Sequence, residues 1–186
     1  MTAIPKRRGG RPLRALLVGF QDQDNLGLRY LCSAVRAAGH EPEILTYDTD
    51  PQALIARARA WKADLIGLSL IFQYMTPNFG EVIAALRAAG VDAHITMGGH
   101  YPSFDYARVL DEIPDLDSIV RFDGEVTLAE ILNCLAEGRD WRGLDGLAHR
   151  EDDGTAHSNP LRPPLEDLAT LPRPERADIR YESSPL

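Results

Sequence analysis

The stretch Ala63-Asp64-Leu65-Ile66-Gly67-Leu68-Ser69-Leu70-Ile71-Phe72 contains a short apolar run of the kind that forms a strand buried on both faces, as in a parallel sheet. The run ends on the hydroxyl residue Ser69, and a loop reaching Thr76 follows. In open α/β sheets, ligands bind outside the carboxyl ends of the strands, where the strand order reverses. The stretch therefore predicts both a parallel sheet and a ligand site at its edge.

Two other predicted strands are followed by unusual loops. The first strand leads into Asp22-Gln23-Asp24-Asn25-Leu26-Gly27, and the fourth leads into Gly98-Gly99-His100-Tyr101-Pro102-Ser103. Because the carboxyl ends of parallel strands meet at one edge of a sheet, we expect these two loops and the loop after Ser69 to hold one large cofactor together.

The rest of the chain alternates between strands and helices. Strands are predicted over residues 13–20, 41–47, 64–70, 93–97 and 118–122. Helices are predicted from Leu26 to Gly39, from Asp50-Pro51 to Trp61, from Thr76-Pro77 to Gly90, over 106–112, and from a capping box of Thr127 and Glu130 to Gly138. This alternation predicts an α/β fold with a doubly wound, five-stranded parallel sheet, flavodoxin-like, of strand order 2-1-3-4-5.

Four segments are expected along the chain. Residues 1–12 are basic and are predicted to form a disordered tail, and residues 13–140 form the α/β domain. Residues 141–160 are predicted to form a small hairpin extension that turns at Asp153-Gly154. Residues 161–186 are rich in proline and are predicted to form an extended linker.

Composition excludes several function classes. The formal net charge of −8 argues against nucleic acid as a partner, because nucleic-acid binding depends on neutralising phosphates with Lys and Arg. No segment approaches the roughly 18 apolar residues that span a bilayer, so no membrane partner is expected. The two cysteines, Cys32 and Cys134, match no zinc or iron–sulfur spacing, and reduced, buried cysteines favour a cytoplasmic location.

The order of these motifs resembles the cobalamin-binding domain at the amino terminus of cobalamin-dependent radical SAM enzymes, over about residues 13–175. The resemblance is carried by four stretches and a connector. They are Leu26-Gly27-Leu28-Arg29-Tyr30-Leu31 with Ala38-Gly39-His40-Glu41, Asp64-Leu65-Ile66-Gly67-Leu68-Ser69, Gly98-Gly99-His100-Tyr101-Pro102-Ser103, Val120-Arg121-Phe122-Asp123-Gly124-Glu125-Val126-Thr127-Leu128, and the connector from Pro163 to Pro174.

The resemblance implies a role for each candidate site residue. Cobalamin has a flat corrin ring and a long nucleotide tail, and a tail that enters beside the sheet needs backbone without side chains. The implied cofactor-binding residues are Asp22, Gln23 and Asp24 under the corrin, Ser69 as a hydroxyl partner, Leu70 and Ile71 as an apolar wall, Gly98 and Gly99 for close approach, His100 as a tail contact, and Gly124 and Glu125 at the far side.

The loop after the first strand departs from a related pattern. Many cobalamin domains of mutases and methyltransferases have Asp-x-His-x-x-Gly there, with the histidine binding cobalt from below. Here Asp24 stands in the place of that histidine. Imidazole suits a soft, redox-active cobalt better than a hard carboxylate does, so the resemblance implies base-off binding without a histidine lower ligand.

The resemblance also implies a larger enzyme that performs methyl transfer or related radical chemistry. S-adenosylmethionine and a 4Fe-4S cluster would belong to a radical SAM domain, which needs a Cys-x-x-x-Cys-x-x-Cys motif, and this sequence lacks that motif. We therefore expect the chain not to be catalytic alone and to work with such a domain in cis or as a partner chain.

Two alternatives without a cofactor stay open at this point. A receiver-like domain shares the predicted fold, but it should have an aspartate where Ser69 ends the third strand and a lysine near Arg121. A stand-alone protein-interaction domain is the other alternative. A dinucleotide site is disfavoured because Gly-x-Gly-x-x-Gly is missing after the first strand. His40 is expected at the surface.

Overall fold

The computed structural model describes residues 3–21, 25–164 and 168–174. The strands in these ranges are β1 (Arg14–Gly19), β2 (Glu41–Thr46), β3 (Leu65–Ser69), β4 (His94–Gly98), β5 (Ser118–Val120), β6 (Leu147–Arg150) and β7 (Ala156–Ser158). The helices are α1 (Leu26–Ala37), α2 (Gln52–Trp61), α3 (Thr76–Ala88), α4 (His100–Phe104), α5 (Tyr106–Glu112) and α6 (Glu125–Glu137), with 3-10 turns at Gln73–Met75 and Leu168–Thr170. None of these helices is both long and apolar enough to cross a bilayer.

The strands form one seven-stranded sheet of order β2-β1-β3-β4-β5-β6-β7. The first five pair in parallel, in the order expected from the sequence, so the chain has an α/β fold with a mostly parallel sheet. The predicted count of five strands is wrong. The hairpin expected as a separate extension adds β6 and β7 to the same sheet, antiparallel to β5, because the free edge of β5 offers unpaired backbone groups.

Each face of the sheet is covered by its own helices. Helices α1 and α6 pack on one face, where Leu17 of the sheet meets Leu28 and Ile131. Helices α2, α3 and α5 pack on the other face, where Leu16 belongs to a cluster with Ile83 and other buried residues. Burial on both faces explains why the parallel strands are near-continuous apolar runs.

Helix α6 begins three residues earlier than the sequence pattern indicates, with Gly124 rather than Thr127 as its N-cap. The predicted capping box of Thr127 and Glu130 is wrong, because Thr127 is buried inside the helix and its hydroxyl donates to the backbone oxygen of Asp145 (3.2 Å). Gly138 ends α6 with φ of 62°, in the left-handed conformation expected of it. Helix α4 was not predicted, since its five residues are too few to show a helical period.

His40 is buried, with 4% of its surface exposed, and the prediction of a surface position is wrong. Its Nδ1 accepts the backbone N–H of Leu13 (3.1 Å), so its Nε2–H donates to Oδ1 of Asn133 (3.0 Å). The Asn133 amide in turn donates to the backbone oxygen of Pro5 (3.0 Å). These bonds join the amino-terminal segment at Pro5, Leu13 just before β1, and α6.

A second buried histidine, His94, lies at the amino-terminal end of β4. It is within hydrogen-bond distance of the Ser118 hydroxyl (2.9 Å), and its ring lies edge-on to Trp141 at 4.7 Å between centroids. Burial lowers the pKa of His94 to about 4; Asp117 raises it and Arg87 lowers it by smaller amounts. His94 is therefore neutral at neutral pH, and this end of the sheet is packed around an uncharged imidazole.

Acid should destabilise the fold through His94. The pKa of this histidine is lowered in the folded state, so the unfolded state binds the proton more readily. The contribution is fully present above about pH 6.5 and is lost as the pH falls toward 4. Between pH 7.5 and pH 5, we expect His94 to account for about 2 kcal/mol of the fall in the free energy of unfolding.

Urea unfolding at the two pH values measures this contribution. His94→Gln should reduce the pH-dependent fall by that amount, whereas His157→Gln, at an exposed position on β7, should leave it unchanged. Equal pH dependence in the wild type and in His94→Gln would contradict the assignment.

Candidate functional site

A cavity of about 370 Å³ opens where the carboxyl ends of the parallel strands face α1 and α6. Its walls are mostly apolar. The lining residues are Leu17, Asn25, Gly27, Leu28, Leu31, Gly67, Leu68, Ser69, Ile71, Thr96, Met97, Gly98, Gly99, His100, Val120, Phe122, Asp123, Gly124, Glu125 and Leu128. The cavity thus lies at the switch point between β1 and β3, where α/β sheets bind ligands.

Glycines keep side chains out of this space. A Cβ on Gly19 would lie 2.8 Å from Cδ1 of Leu28 and 3.1 Å from Cβ of Ser69. A Cβ on Gly67, in the middle of β3 and opposite Leu17, would lie 3.1 Å from Cδ2 of that leucine. A glycine inside a strand commonly marks the close approach of another group. Here the two glycines allow helix and sheet to approach while space remains between them.

Gly98 and Gly99 form the tightest part of the edge. Gly98 ends β4 beside Ser69, and its added Cβ would lie 3.3 Å from the backbone oxygen of Val120. Gly99 has φ of 108°, and a Cβ there would lie 2.2 Å from the backbone oxygen of Leu70. Only glycine fits at position 99, so the backbone after β4 turns closely over the end of β3.

Few polar groups face the cavity. The Ser69 hydroxyl makes no hydrogen bond with any residue that the structure describes. Glu125, the first residue of α6, is half-buried. Burial raises the pKa of its carboxyl, its own backbone N–H lowers the pKa, and the charge of Asp123 raises it. The Thr96 hydroxyl is already used, since it donates to the backbone oxygen of Ser118 (3.3 Å). Among the described lining residues, Ser69, Glu125, His100 and Asp123 therefore have polar side chains available to a ligand.

The structure brings most of the predicted site residues together. Ser69, Ile71, Gly98, Gly99, His100, Gly124 and Glu125 all line the one cavity. Leu70 is the exception, because its side chain is fully buried in the cluster on the opposite face of the sheet, among residues such as Phe79. Its predicted role as a wall of the site is wrong, although its backbone oxygen meets Gly99. Asp22, Gln23 and Asp24 lie outside the described residues.

Several lining residues were missed in the sequence. Asn25 caps α1, where its Oδ1 accepts the N–H of Leu28 (3.1 Å) and its Nδ2 donates to the backbone oxygen of Phe20 (3.1 Å). Its position before an apolar helix is a capping signal that could have been found. Gly67 was a second usable signal, as a glycine in a strand interior. Phe122 carried no sequence signal.

A larger open groove of about 1140 Å³ adjoins the cavity, between the loop after β3 and helices α3, α4 and α5. Ile71 and His100 line both spaces. Phe72 and Tyr74 are exposed at its rim and stack at 5.7 Å between ring centroids, and Phe104 is exposed at the opposite rim. The carboxyl edge of the sheet thus presents aromatic surface to solvent around the cavity. Within the described ranges, no group of three or more His, Cys, Asp or Glu could hold a metal ion.

Residues 15–132, from β1 into α6, match the family model described as B12 binding domain. The uncharacterized methyltransferase PH0819 of Pyrococcus horikoshii is 28% identical over 152 residues, which cover 80% of this chain and 32% of that protein. An anaerobic magnesium-protoporphyrin IX monomethyl ester cyclase of Rubrivivax gelatinosus is 29% identical over 149 residues, which cover 75% of this chain and 26% of the cyclase. The chain spans about a third or less of the length of these relatives.

Solved structures share the fold. The cobalamin-dependent S-adenosylmethionine radical enzyme OxsB, with aqua-cobalamin and S-adenosylmethionine bound, superposes with a TM-score of 0.73 at 19% identity, covering 88% of this chain and 24% of that chain. The radical S-adenosylmethionine methyltransferase TsrM from Kitasatospora setae, with cobalamin and a [4Fe-4S] cluster bound, superposes with a TM-score of 0.68 at 20% identity, covering 88% of this chain and 31% of that chain.

Replacement of Gly99 should disrupt the edge of the site. Gly99→Ala places a Cβ against the backbone oxygen of Leu70 and strains a φ of 108°, so we expect a loss on the order of 3 kcal/mol or more in the free energy of unfolding. Gly90→Ala is the matched control, because Gly90 has φ of 72° with open space around it and should lose only about 1 kcal/mol. Urea unfolding compares the two, and equal losses would contradict the close approach at Gly99.

Proposed function

Because the chain belongs to the B12 binding domain family, we propose that it holds cobalamin base-off at the carboxyl edge of its sheet, with the nucleotide tail in the cavity beside α1 and α6. Cobalt held in this way supplies methyl-transfer or radical chemistry to a larger enzyme. The single observation that carries the proposal is the cavity itself, which lies at the switch point and is kept open by glycines.

The described residues fit a cobalamin tail. The inner walls of the cavity are apolar side chains, including Leu17, Leu31 and Leu128, which suit the flat aromatic base that ends the tail. The free hydroxyl of Ser69 and the carboxyl of Glu125 stand where they can bind polar groups of the tail. We propose that Gly98, Gly99 and Gly124 allow the backbone to lie directly against it.

The positions of the described histidines support binding without an imidazole below cobalt. His40 and His94 are buried with their rings in internal hydrogen bonds, and His149 and His157 lie in the hairpin of β6 and β7. His100 alone among the described histidines lines the cavity, and it follows β4 rather than β1. In sequence, Asp24 occupies the position where related domains place the ligand histidine.

We further propose that the groove with the exposed aromatic residues is covered by a radical SAM domain, in cis or as a partner chain. Exposed aromatic surface next to a ligand site is typical of an interaction site. The chain spans about a third or less of its relatives, which leaves room in them for such a domain. Cys32 and Cys134 are buried in α1 and α6, so in this proposal the iron–sulfur cluster and S-adenosylmethionine belong to that domain.

Spectroscopy of the loaded chain tests base-off binding. After incubation with hydroxocobalamin, desalting and reduction to Co(II), we expect a corrinoid that co-elutes with the protein and an electron paramagnetic resonance spectrum without nitrogen splitting. Asp24→His is the positive control, which we expect to introduce that splitting because imidazole is a good cobalt ligand. Nitrogen splitting in the wild type would contradict base-off binding, and loss of the corrinoid on desalting would contradict the proposed function.

Filling the cavity should block the tail without unfolding the chain. We expect Ser69→Leu to lower cobalamin affinity at least about tenfold, because the larger side chain occupies the cavity, while the free energy of unfolding changes by less than about 1 kcal/mol. Thr46→Leu is the matched control, since Thr46 is exposed at the carboxyl end of β2, on the far side of β1, and does not line the cavity. Equilibrium dialysis measures both affinities, and unchanged binding by Ser69→Leu would place the tail elsewhere.

A further inference from the structure

Phe122 has an unusual backbone conformation. Among the described residues, Lys62 and Phe122 are the two residues other than glycine with positive φ, at 53° and 60°. Lys62 caps the end of α2, a place where the left-handed conformation is common. Phe122 follows β5 at the mouth of the cavity, and a bulky side chain is a genuine outlier in this conformation. Such strain clusters at ligand sites.

Hydrogen bonds made by Phe122 and by the preceding Arg121 hold this segment in place. Its N–H donates to the hydroxyl of Ser103 (2.8 Å), and that buried hydroxyl donates to the backbone oxygen of Gly99 (2.7 Å). The neighbouring Arg121 donates from Nε to the backbone oxygen of Ser103 (2.9 Å) and from Nη1 to the hydroxyl of Ser158 (2.6 Å). These hydrogen bonds therefore fix the backbone from which the Phe122 ring extends.

Packing against the residues that the structure describes does not explain why the ring of Phe122 is there. Phe122 is 47% exposed, and it meets Phe104, which is 72% exposed, edge-on at 5.3 Å between centroids. Arg121 lies over the same ring at 5.6 Å. A pair of rings that are both largely in solvent buries little apolar area, so it gains little from the hydrophobic effect. A group that covers the exposed part of the ring would therefore help to offset the strain at Phe122.

We propose that Phe122 is a cofactor-contacting residue, whose ring forms an aromatic wall at the mouth of the cavity for the flat, largely apolar body of the bound corrinoid. This inference rests on the proposed function. The ring lines the same cavity as Ser69, Gly99 and Glu125, and it stands where the cavity opens to the solvent. The ring extends from a backbone segment that the Ser103 hydrogen bonds already hold, so contact with a flat ligand orders little further backbone.

Phe122→Gly separates contact from strain, because it removes the ring and relieves the positive φ together. Without cofactor, we expect its melting temperature to rise by about 2–4 °C, since glycine adopts this conformation freely. Its affinity for hydroxocobalamin should fall about tenfold, in keeping with loss of one well-placed aromatic contact. Phe122→Tyr keeps the ring and should bind as the wild type does. Lys62→Gly, the matched control, relieves a positive φ far from the cavity and should bind as the wild type does.

Equilibrium dialysis and thermal melting of the full chain give the two readouts. Weaker binding by a Phe122→Gly variant that is at least as stable as the wild type supports the contact. If the wild type binds hydroxocobalamin and Phe122→Gly binds it equally well, this inference is overturned and the proposed function stands. If Phe122→Gly melts lower than the wild type, the ring is a packing residue and the inference is also overturned. If the wild type does not bind, the proposed function fails and the inference fails with it.

Discussion

The structure depends on keeping side chains out of one space, between the carboxyl edge of the sheet and helices α1 and α6. Protein interiors are close-packed, so the side chains that line an apolar cavity of about 370 Å³ lack the dispersion contacts that a filled core would give them. Gly67 lines the space without a side chain, the lack of a side chain at Gly19 makes room for Leu28 and Ser69 beside it, and Gly99 fixes the backbone turn that bounds it. The cavity is therefore a built feature of this sheet edge, and its cost is offset when an apolar group enters it.

The amino-terminal and carboxyl ends of the sheet differ in how their polar side chains are satisfied. At the amino-terminal end, His40 and His94 are satisfied by internal hydrogen bonds, and both have a lowered pKa because burial disfavours the charged ring. At the carboxyl ends of β1 and β2, Phe20 and Tyr47 form a packed aromatic group with Phe79, and Tyr47 and Phe79 are stacked at 4.1 Å. Among the described residues, the exposed aromatic rings Phe72, Tyr74, Phe104 and Phe122 lie at the carboxyl end of the sheet near β3 to β5, where the Ser69 hydroxyl also has no hydrogen-bond partner within the described ranges. The amino-terminal end of the sheet is therefore packed around buried, hydrogen-bonded histidines, and the carboxyl end near β3 to β5 has a cavity open to a ligand.

Sequence alone predicts much of this arrangement, for identifiable reasons. Period and length give the strands and the order of the five parallel ones, because a parallel sheet buries continuous apolar runs. The loops after β3 and β4 are predicted correctly as neighbours, since strand ends of one sheet share an edge, whereas the segment after β5 was implied by the family resemblance. Leu70 was misassigned because the side chains of a strand alternate between faces, and Ser69 and Leu70 cannot face the same cavity. His40 was misplaced because its partners Leu13 and Asn133 are distant in sequence. The addition of the hairpin to the sheet was missed because the local sequence of β6 does not indicate which strand it pairs with.

The hairpin also determines the geometry of the site, although it lies outside the run of parallel strands. The N–H of Arg121 donates to the backbone oxygen of Gly146 (2.9 Å), and its guanidinium donates to Ser158 of β7, so both ends of the hairpin hold the segment that follows β5. Arg162, beyond β7, donates from Nε to the hydroxyl of Thr127 (2.7 Å) and pairs with Glu130, which braces the first turns of α6. Phe122 and Glu125 lie between these two anchor points. The antiparallel extension thus fixes the backbone on the β5 and α6 side of the cavity, as the glycines fix it on the β3 and β4 side. Both sides are set before any ligand is present.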